Sequence, residues 1–242
     1  MAPVSKLPGC QVSRSFVIFL LFVAVLASGA GALLWWAGPA KVSLALDDER
    51  RSSPYYLIHL LDQPDPAAYF QSFGALLREE GAQLLWRGSL QALRAGRSRD
   101  ELADVALLEF SEGSGVVQML TSSGYRALTK DRLPVLLGTP EAPGPIVQDE
   151  TLLLWLVELK PGVAPEVLEA PVQAATARGG QLVWSTPVAV LEGQRSWNHA
   201  VLLAFPSSRA VTTWLEDPQT VTERSLARRY YDGEAMLEVR SG

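Results

Sequence analysis

The stretch GAQLLWRG occupies residues 81–88, and the stretch GGQLVWST occupies residues 179–186. The two octets share glycine, glutamine, leucine and tryptophan at the same slots, although the chain contains only 7 tryptophans. Gly81 and Gly179 are 98 residues apart. A shift of this size aligns much more of the chain than the octets, so the sequence predicts an internal duplication.

The first strand and the first helix of each copy align at this shift. YYLIHLL from Tyr55 aligns with LLLWLVEL from Leu152, so that Tyr56 corresponds to Leu154. Asp65 and Pro66 then begin a helix that ends before Gly81. Its apolar positions, with their counterparts 98 residues later, follow helical spacing: Tyr69, Phe70, Phe73, Leu76 and Leu77, then Val167, Leu168, Pro171, Ala174 and Ala175. We expect Pro171 to kink the second helix.

The later elements also occur twice. ALLEF at 106–110 aligns with LLAF at 202–205 at a shift of 95, so a connection differs in length by three residues. A short amphipathic helix follows each phenylalanine, and a last strand ends each copy, at 133–137 and at 235–239. The prolines and glycine of TPEAPGPIVQDE indicate a linker between the copies. The predicted repeats are residues 55–138 and 152–242, joined by a linker at 139–151.

Each copy thus has the order strand, helix, strand, strand, helix, strand, which is typical of the ferredoxin-like fold. A sheet with one wet face alternates apolar and polar residues, but LLLWLV and HAVLLAF are almost continuously apolar. Both faces of each sheet should therefore be covered. We expect an α+β fold in which the two repeats face each other as an intrachain pseudo-dimeric α+β barrel. The alternative is two independent domains that each dimerise with another molecule.

An apolar segment precedes the repeats. Residues 15–40 carry no charge, and residues 16–37 are apolar or small throughout, which is long enough for a helix to span a bilayer. Lys6 and Arg14 lie before it and Asp47 to Glu49 follow it, so the distribution of charge keeps the N-terminus cytoplasmic. The expectation is a cytoplasmic tail at 1–14, a single transmembrane anchor at 15–38 and a linker at 39–54. The repeats are then extracytoplasmic, and periplasmic in a Gram-negative bacterium.

A cleavable signal peptide is the competing interpretation of the same segment. Ala30, Gly31 and Ala32 form an A-x-A cleavage site after an apolar run. However, the hydrophobic run continues past that site through Leu33, Leu34 and two tryptophans. This continuation favours an uncleaved anchor. Cys10, the only cysteine, precedes the run and is expected to be a cytoplasmic thiol.

The residues of the two copies resemble family 1330 of the domains of unknown function, a branch of the dimeric α+β barrel superfamily. In that family a strand ends in Glu-Phe, a helix bears Trp, Ser, Tyr and Arg follow, and the second strand ends in Glu-Gly. Here the pattern is divided between the copies. The first copy has Glu109, Phe110, Ser122, Tyr125 and Arg132, with Met119 in place of Trp and Arg94 in place of Glu. The second has Glu192, Gly193, Phe205 and Trp214, with Ala204, Asp217 and Thr220 at the other positions. The resemblance implies the fold and no particular activity.

Polar groups within apolar strands are the candidate site residues. Glu109 and Glu158 interrupt hydrophobic strands, and His59 lies in a strand where the other copy has Val157. A buried carboxylate must be paired or have a raised pKa, so these three are candidates for lining a pocket inside the barrel. Tyr125 joins them as a family position, and Arg132 as a partner for one carboxylate. The alternatives are strand ends that face water and a core histidine.

Composition excludes several classes of function. The net charge is −5, which argues against nucleic-acid binding. With 2 histidines and 1 cysteine there is no cluster at metal-ligand spacing and no phosphate-binding loop, so we expect neither a metal nor a cofactor. The sequence favours a membrane-anchored module that binds a small molecule or a membrane-protein partner. The alternative is a cofactor-independent oxygenase, isomerase or lyase with its pocket in the barrel, and a third possibility is a purely structural subunit.

Overall fold

The computed structural model describes residues 51–61, 66–96, 104–129, 135–146, 150–193 and 196–241. The predicted cytoplasmic tail, the transmembrane anchor with its alternative cleavage site, and Cys10 lie outside these residues. Within the described ranges, no helix has the length and hydrophobicity needed to cross a membrane.

The first half follows the predicted order, with two helices where one was expected after the third strand. Its elements are β1 (Tyr55–Leu61), α1 (Pro66–Glu79), β2 (Ala82–Ala95), β3 (Asp104–Phe110), α2 (Gly113–Thr121), α3 (Ser123–Thr129) and β4 (Val135–Thr139). The last strand lies two residues later than the pattern at 133–137 predicted.

The second half repeats this order. Its elements are β5 (Thr151–Leu159), a 3-10 turn (Pro165–Leu168), α4 (Glu169–Ala177), β6 (Gln181–Pro187), β7 (Ala189–Glu192), β8 (His199–Phe205), α5 (Ser208–Glu216), α6 (Pro218–Ala227), a second 3-10 turn (Arg228–Tyr230) and β9 (Tyr231–Ser241). Pro171 was expected to kink the helix, but it lies in the first turn of α4. Proline is tolerated there because that turn lacks intrahelical N–H partners.

The nine strands of the described residues form one antiparallel sheet in the order β6-β8-β5-β9-β2-β3-β1-β4-β7. The two outermost members, β6 and β7, are separated in the chain only by Val188. The sheet therefore closes into a barrel. Its halves join twice, where β9 pairs with β2 and where β7 pairs with β4. The predicted α+β fold with a large antiparallel, ferredoxin-like sheet is confirmed.

The barrel interior holds a hydrophobic cluster, here called the interior core, to which both halves contribute. Its buried members are Tyr56, Ile58, Leu60, Trp86, Val105, Leu107 and Leu137 from the first half, and Leu152, Leu154, Leu156, Trp184, Val188, Trp197, Ala200, Leu202, Ala204, Ala235, Leu237 and Val239 from the second. Separate outer clusters lie between the sheet and the helices of each half. Strands covered on both faces explain why LLLWLV and HAVLLAF do not alternate.

The duplicated octets share a conformation as well as letters. Gly81 and Gly179 adopt φ of 69° and 84°, a left-handed conformation that lets each helix end and turn into its strand. A β-bulge follows in each copy, between Leu84 and Trp86 and between Leu182 and Trp184. The bulge adds one residue and turns the tryptophan into the barrel.

Both repeats point the same way along the barrel. Neighbouring strands are antiparallel, and three strands separate β5 from β1 in the sheet, so β1 and β5 run in the same direction. The two repeats are therefore related by a pseudo-twofold along the barrel axis. The end at which β1 and β5 begin also receives the chain leaving β4, and it is called the linker end below.

Candidate functional site

A pocket of about 340 Å³ lies at the linker end of the barrel. The strands contribute one apolar and two polar residues to its wall, and the linker contributes a continuous run of five small or apolar residues. The lining consists of Tyr56, Leu85, Glu109, Ala142, Pro143, Gly144, Pro145 and Ile146. One wall is thus part of the barrel, and the other is the segment that connects the two repeats.

Glu109 is the central polar group of this pocket. It lies opposite Tyr56 on β1 and opposite Gln83 on β2, so the three residues form a row across neighbouring strands. The Tyr56 hydroxyl donates to Glu109 Oε1 at 3.3 Å, and Gln83 Nε2 donates to Glu109 Oε2 at 2.5 Å. A carboxylate can accept further hydrogen bonds beyond these two, so Glu109 can still receive a donor from a ligand.

Tyr56 is held in its protonated form. Burial raises the pKa of its hydroxyl, and the neighbouring Glu109 charge and the hydrogen bond to Glu109 raise it further. At neutral pH the Tyr56 hydroxyl is therefore a donor that keeps the Glu109 side chain in place.

The linker is fixed to the second repeat. The Gly144 N–H donates to the Val183 carbonyl at 3.1 Å, and a Cβ at Gly144 would lie 2.7 Å from that oxygen. Ile146 packs against the interior core. The linker wall of the pocket is therefore built into the fold, and only glycine fits at its closest approach to β6.

His59 lies outside this pocket. It shares the outer face of β1 with Tyr55 and Leu57, is fully buried, and contacts the Phe73 ring of α1 with centroids 5.0 Å apart. Burial lowers the pKa of His59 to about 3, so the imidazole is neutral at physiological pH. This matches the interpretation of His59 as a core histidine, and it places the ring on the opposite face of the sheet from the interior core.

The other sequence candidates are also separated from Glu109. Glu158 lies near the C-terminal end of β5, at the barrel end opposite the linker end, and it is beside Gly233 of β9. Tyr125 lies on α3 in the outer cluster of the first half. Arg132 lies outside the described residues. The five candidates were expected to line one pocket, and of the four described, Glu109 alone lines the pocket at the linker end.

Polar side chains of the two halves pair at the joins between them. The Tyr125 hydroxyl of the first half donates to Glu192 Oε2 of the second at 2.5 Å, beside the join of β4 and β7. Burial raises the pKa of Glu192, and this hydrogen bond opposes the rise. At the other join Arg94 pairs with the buried Glu238 of β9 at 2.5 Å.

Several pocket residues were not singled out from the sequence. The sequence alignment sets Tyr56 against Leu154, but the strand register makes Leu152 its counterpart, since Tyr56 pairs with Glu109 and Leu152 with Ala204. A signal was nevertheless present, because at Tyr56 and Glu109 the first copy is polar, whereas the equivalent pair of the second copy is Leu152 and Ala204. A polar difference between two copies of one strand pair indicates a site that one copy has and the other lacks. Among the described residues, no group of three or more His, Cys, Asp or Glu could hold a metal ion.

No protein-family model and no curated protein matches this sequence. Among solved structures, the fold is similar to an anthrone oxidase-like protein, with a TM-score of 0.52 and 10% identity over 78% of this chain and 93% of the other. A candidate monooxygenase from Lactobacillus acidophilus NCFM has a TM-score of 0.48 at 10% identity, over 78% and 94% of the two chains. A mutant chlorite dismutase from Candidatus Nitrospira defluvii gives 0.44 at 12%, over 81% and 95%.

These structures are α+β barrels of ferredoxin-like architecture, and identities this low show the fold alone. The similarity to the anthrone oxidase-like protein supports the predicted α+β fold, and the resemblance to the dimeric α+β barrel superfamily stays a prediction. The narrower resemblance to family 1330 stays a prediction.

Proposed function

We propose that this chain is a membrane-anchored, extracytoplasmic binding module whose ligand occupies the pocket at the linker end. The observation that carries the proposal is Glu109, a half-buried carboxylate held by Tyr56 and Gln83 and facing an apolar wall of linker residues. Pockets that combine apolar walls with a few fixed polar groups are the usual form of ligand sites.

The filled barrel favours binding over chemistry. The interior is occupied by the interior core, including Trp86, Trp184 and Trp197. The buried imidazole of His59 lies on the other face of the sheet and cannot serve the pocket as a base. The pocket therefore offers a carboxylate and a hydroxyl as hydrogen-bonding groups, on a rigid frame.

Ligand binding is tested with the full-length protein in detergent, using thermal-shift screening of amphipathic small molecules and short peptides. A bound compound should lose affinity in Glu109→Gln and in Leu85→Asp, and Leu182→Asp is the matched control. Leu85 and Leu182 are 40% and 43% exposed, but Leu182 does not line the pocket. A ligand whose affinity is unchanged in both pocket variants would contradict the proposed site.

The anchor is supported by the uncharged segment at 15–40 and by the basic residues before it. Because Cys10 is the only cysteine, an impermeant thiol reagent added to intact cells tests the topology directly. We expect no labelling of the natural chain and full labelling of a Cys10→Ser/Val221→Cys variant, since Val221 is 52% exposed. Labelling of Cys10, or its loss from the mature chain by cleavage, would contradict the proposed anchor.

An enzyme is the second candidate, because Glu109 and Tyr56 form a carboxylate and hydroxyl pair beside a pocket. In a cofactor-independent isomerase, lyase or oxygenase Glu109 would act as the general base. That function requires turnover of a substrate that Glu109→Gln abolishes while binding is retained. Binding without turnover across candidate substrates would favour the module.

A further inference from the structure

The barrel mouth at the linker end contains two equivalent positions, because the duplicated octets both place a bulge there. Val183 is the extra residue of the bulge in β6, and Leu85 is its counterpart in β2. Both lie beside an inward-facing tryptophan at the same end of the barrel. The two repeats thus present two similar cradles, one at Val183 and one at Leu85.

The linker occupies one of these cradles. Gly144 donates its N–H to the Val183 carbonyl, and both Val183 and Ile146 pack against the interior core. The occupant is a proline-containing piece of chain, with the sequence APGPI at 142–146. It contains neither helix nor strand. One of the two cradles therefore holds a peptide in the structure itself.

Among the described residues, no peptide occupies the other cradle. Leu85 is 40% exposed, and it lines the pocket together with the linker residues. The described part of the chain therefore fills one of the two pseudo-symmetric positions and leaves the Leu85 cradle accessible.

The open cradle also differs in chemistry. Where the occupied side pairs Leu152 with Ala204, the open side pairs Tyr56 with Glu109. A neutral apolar peptide suits the first surface, but the second presents a carboxylate and an aromatic hydroxyl. An occupant of the open cradle is therefore expected to carry a hydrogen-bond donor or a positive charge that reaches Glu109.

We propose that the Leu85 cradle binds a short extended peptide from a partner protein, containing proline and one lysine or arginine. This inference rests on the proposed function of the pocket and names its ligand class. The peptide would lie along the linker as the linker lies along β6, and its basic side chain would meet Glu109. Extended proline-containing segments lose little conformational entropy on binding and dock readily beside aromatic residues.

The test uses the full-length protein in detergent and two fluorescent peptides, KPGPIV and APGPIV, in a polarisation titration. We expect KPGPIV to bind about threefold to fivefold more tightly than APGPIV, because its lysine can pair with Glu109. Glu109→Gln should abolish this difference, and Leu85→Asp should weaken the neutral peptide as well. Leu182→Asp, on the occupied side, should change neither affinity.

The outcomes separate the inference from the function on which it rests. If neither peptide binds but an amphipathic small molecule does, and Leu85→Asp abolishes its binding, the peptide class is wrong and the pocket stands. If the peptides bind with the same affinity in Leu85→Asp as in the natural chain, they bind elsewhere and the inference is overturned. If neither peptides nor small molecules bind, the inference and the proposed function both fail.

Discussion

Gly81 shows how one residue allows the change from helix to strand. Its φ of 69° is costly for any residue with a Cβ, although the nearest atom to such a Cβ, Ser111 Oγ, is 3.6 Å away. Gly81→Ala should therefore destabilise the fold through backbone strain, by about 1 kcal/mol. Denaturant unfolding of the natural chain and the variant measures this difference.

Gly74 provides the matched control. It lies within α1, and a Cβ there would have no atom within 4 Å. Gly74→Ala should stabilise the protein by about 0.5–1 kcal/mol, because it removes backbone freedom from the unfolded chain without strain. If the two alanine variants change stability in the same direction, the assignment of conformational strain to Gly81 is wrong.

His59 links stability to pH. Its pKa is about 3 in the folded protein and near 6.5 when exposed, so between these values the unfolded chain binds more protons. Stability should therefore fall as the pH falls from about 6.5 towards 3, by up to about 1.4 kcal/mol per pH unit. Burial also lowers the pKa of His199, which adds to the same trend.

His59→Gln keeps a polar side chain and removes this titration. Urea unfolding at several values between pH 4 and 7 should show a shallower loss of stability towards acid than in the natural chain. Identical slopes would mean that His59 has the same pKa in the folded protein as in the unfolded chain.

For single residues, the sequence predicted which side chains are buried better than it predicted which face of the sheet each side chain occupies. His59 was recognisable as a core histidine because the other copy has valine. Glu109 was recognisable as a carboxylate in an apolar strand. Whether two such side chains share a pocket depends on which face of the sheet each occupies, and on what covers that face. The pairing of Glu109 with Tyr56 required the strand register.

At the scale of elements, an ion pair stabilises the join between β2 and β9. Arg94 of β2 pairs with Glu238 of β9, whose side chain is only 2% exposed. Arg94→Leu would leave a buried carboxylate without its guanidinium and should cost about 3 kcal/mol. Arg94→Leu/Glu238→Leu should recover most of that loss. Thermal and denaturant unfolding measure both variants.

Lys160→Ala supplies the comparison for an exposed pair. Lys160 Nζ and Asp232 Oδ1 are 3.8 Å apart, and the two side chains are 43% and 59% exposed. Loss of this ion pair should therefore lower the free energy of unfolding by less than about 0.5 kcal/mol. A similar cost for the two ion pairs would show that burial of Glu238 is not what makes the join sensitive.

The helices after the third strand of each half differ from the prediction, because two short helices are present where one was expected. In each half one residue with extended backbone, Ser122 or Asp217, divides a stretch that was predicted to hold one helix. Each then caps the helix that follows, since Ser122 Oγ accepts from the Tyr125 N–H and Asp217 Oδ1 from the Thr220 N–H. The dipeptide Asp217-Pro218 is a recognisable helix start. Apolar spacing that continues across a cap conceals the break.

The closed barrel could be predicted as a whole because two independent observations agreed. The duplication gave two equal sheets, and the missing alternation required cover on both faces of each. What neither observation contained was the path of the linker, because its contact with Val183 depends on a bulge and on a glycine that approaches a carbonyl. The pocket lies where that path crosses the barrel mouth, so the site was less predictable than the fold.

The closed barrel also predicts that each half needs the other to stay folded. Residues 51–146 alone would expose the inward faces of β1 and β3, including Ile58, Leu60 and Leu107, together with the edge of β2 that β9 covers. Burial of such side chains is worth about 1.5–3 kcal/mol each, so an isolated half should not persist as a folded monomer. We expect it to dimerise or aggregate in light scattering, and to form a 1:1 complex when co-expressed with residues 150–242. A stable monomer of residues 51–146 with its own cooperative unfolding would mean that the repeats fold independently, and that the interior core forms only after both have folded.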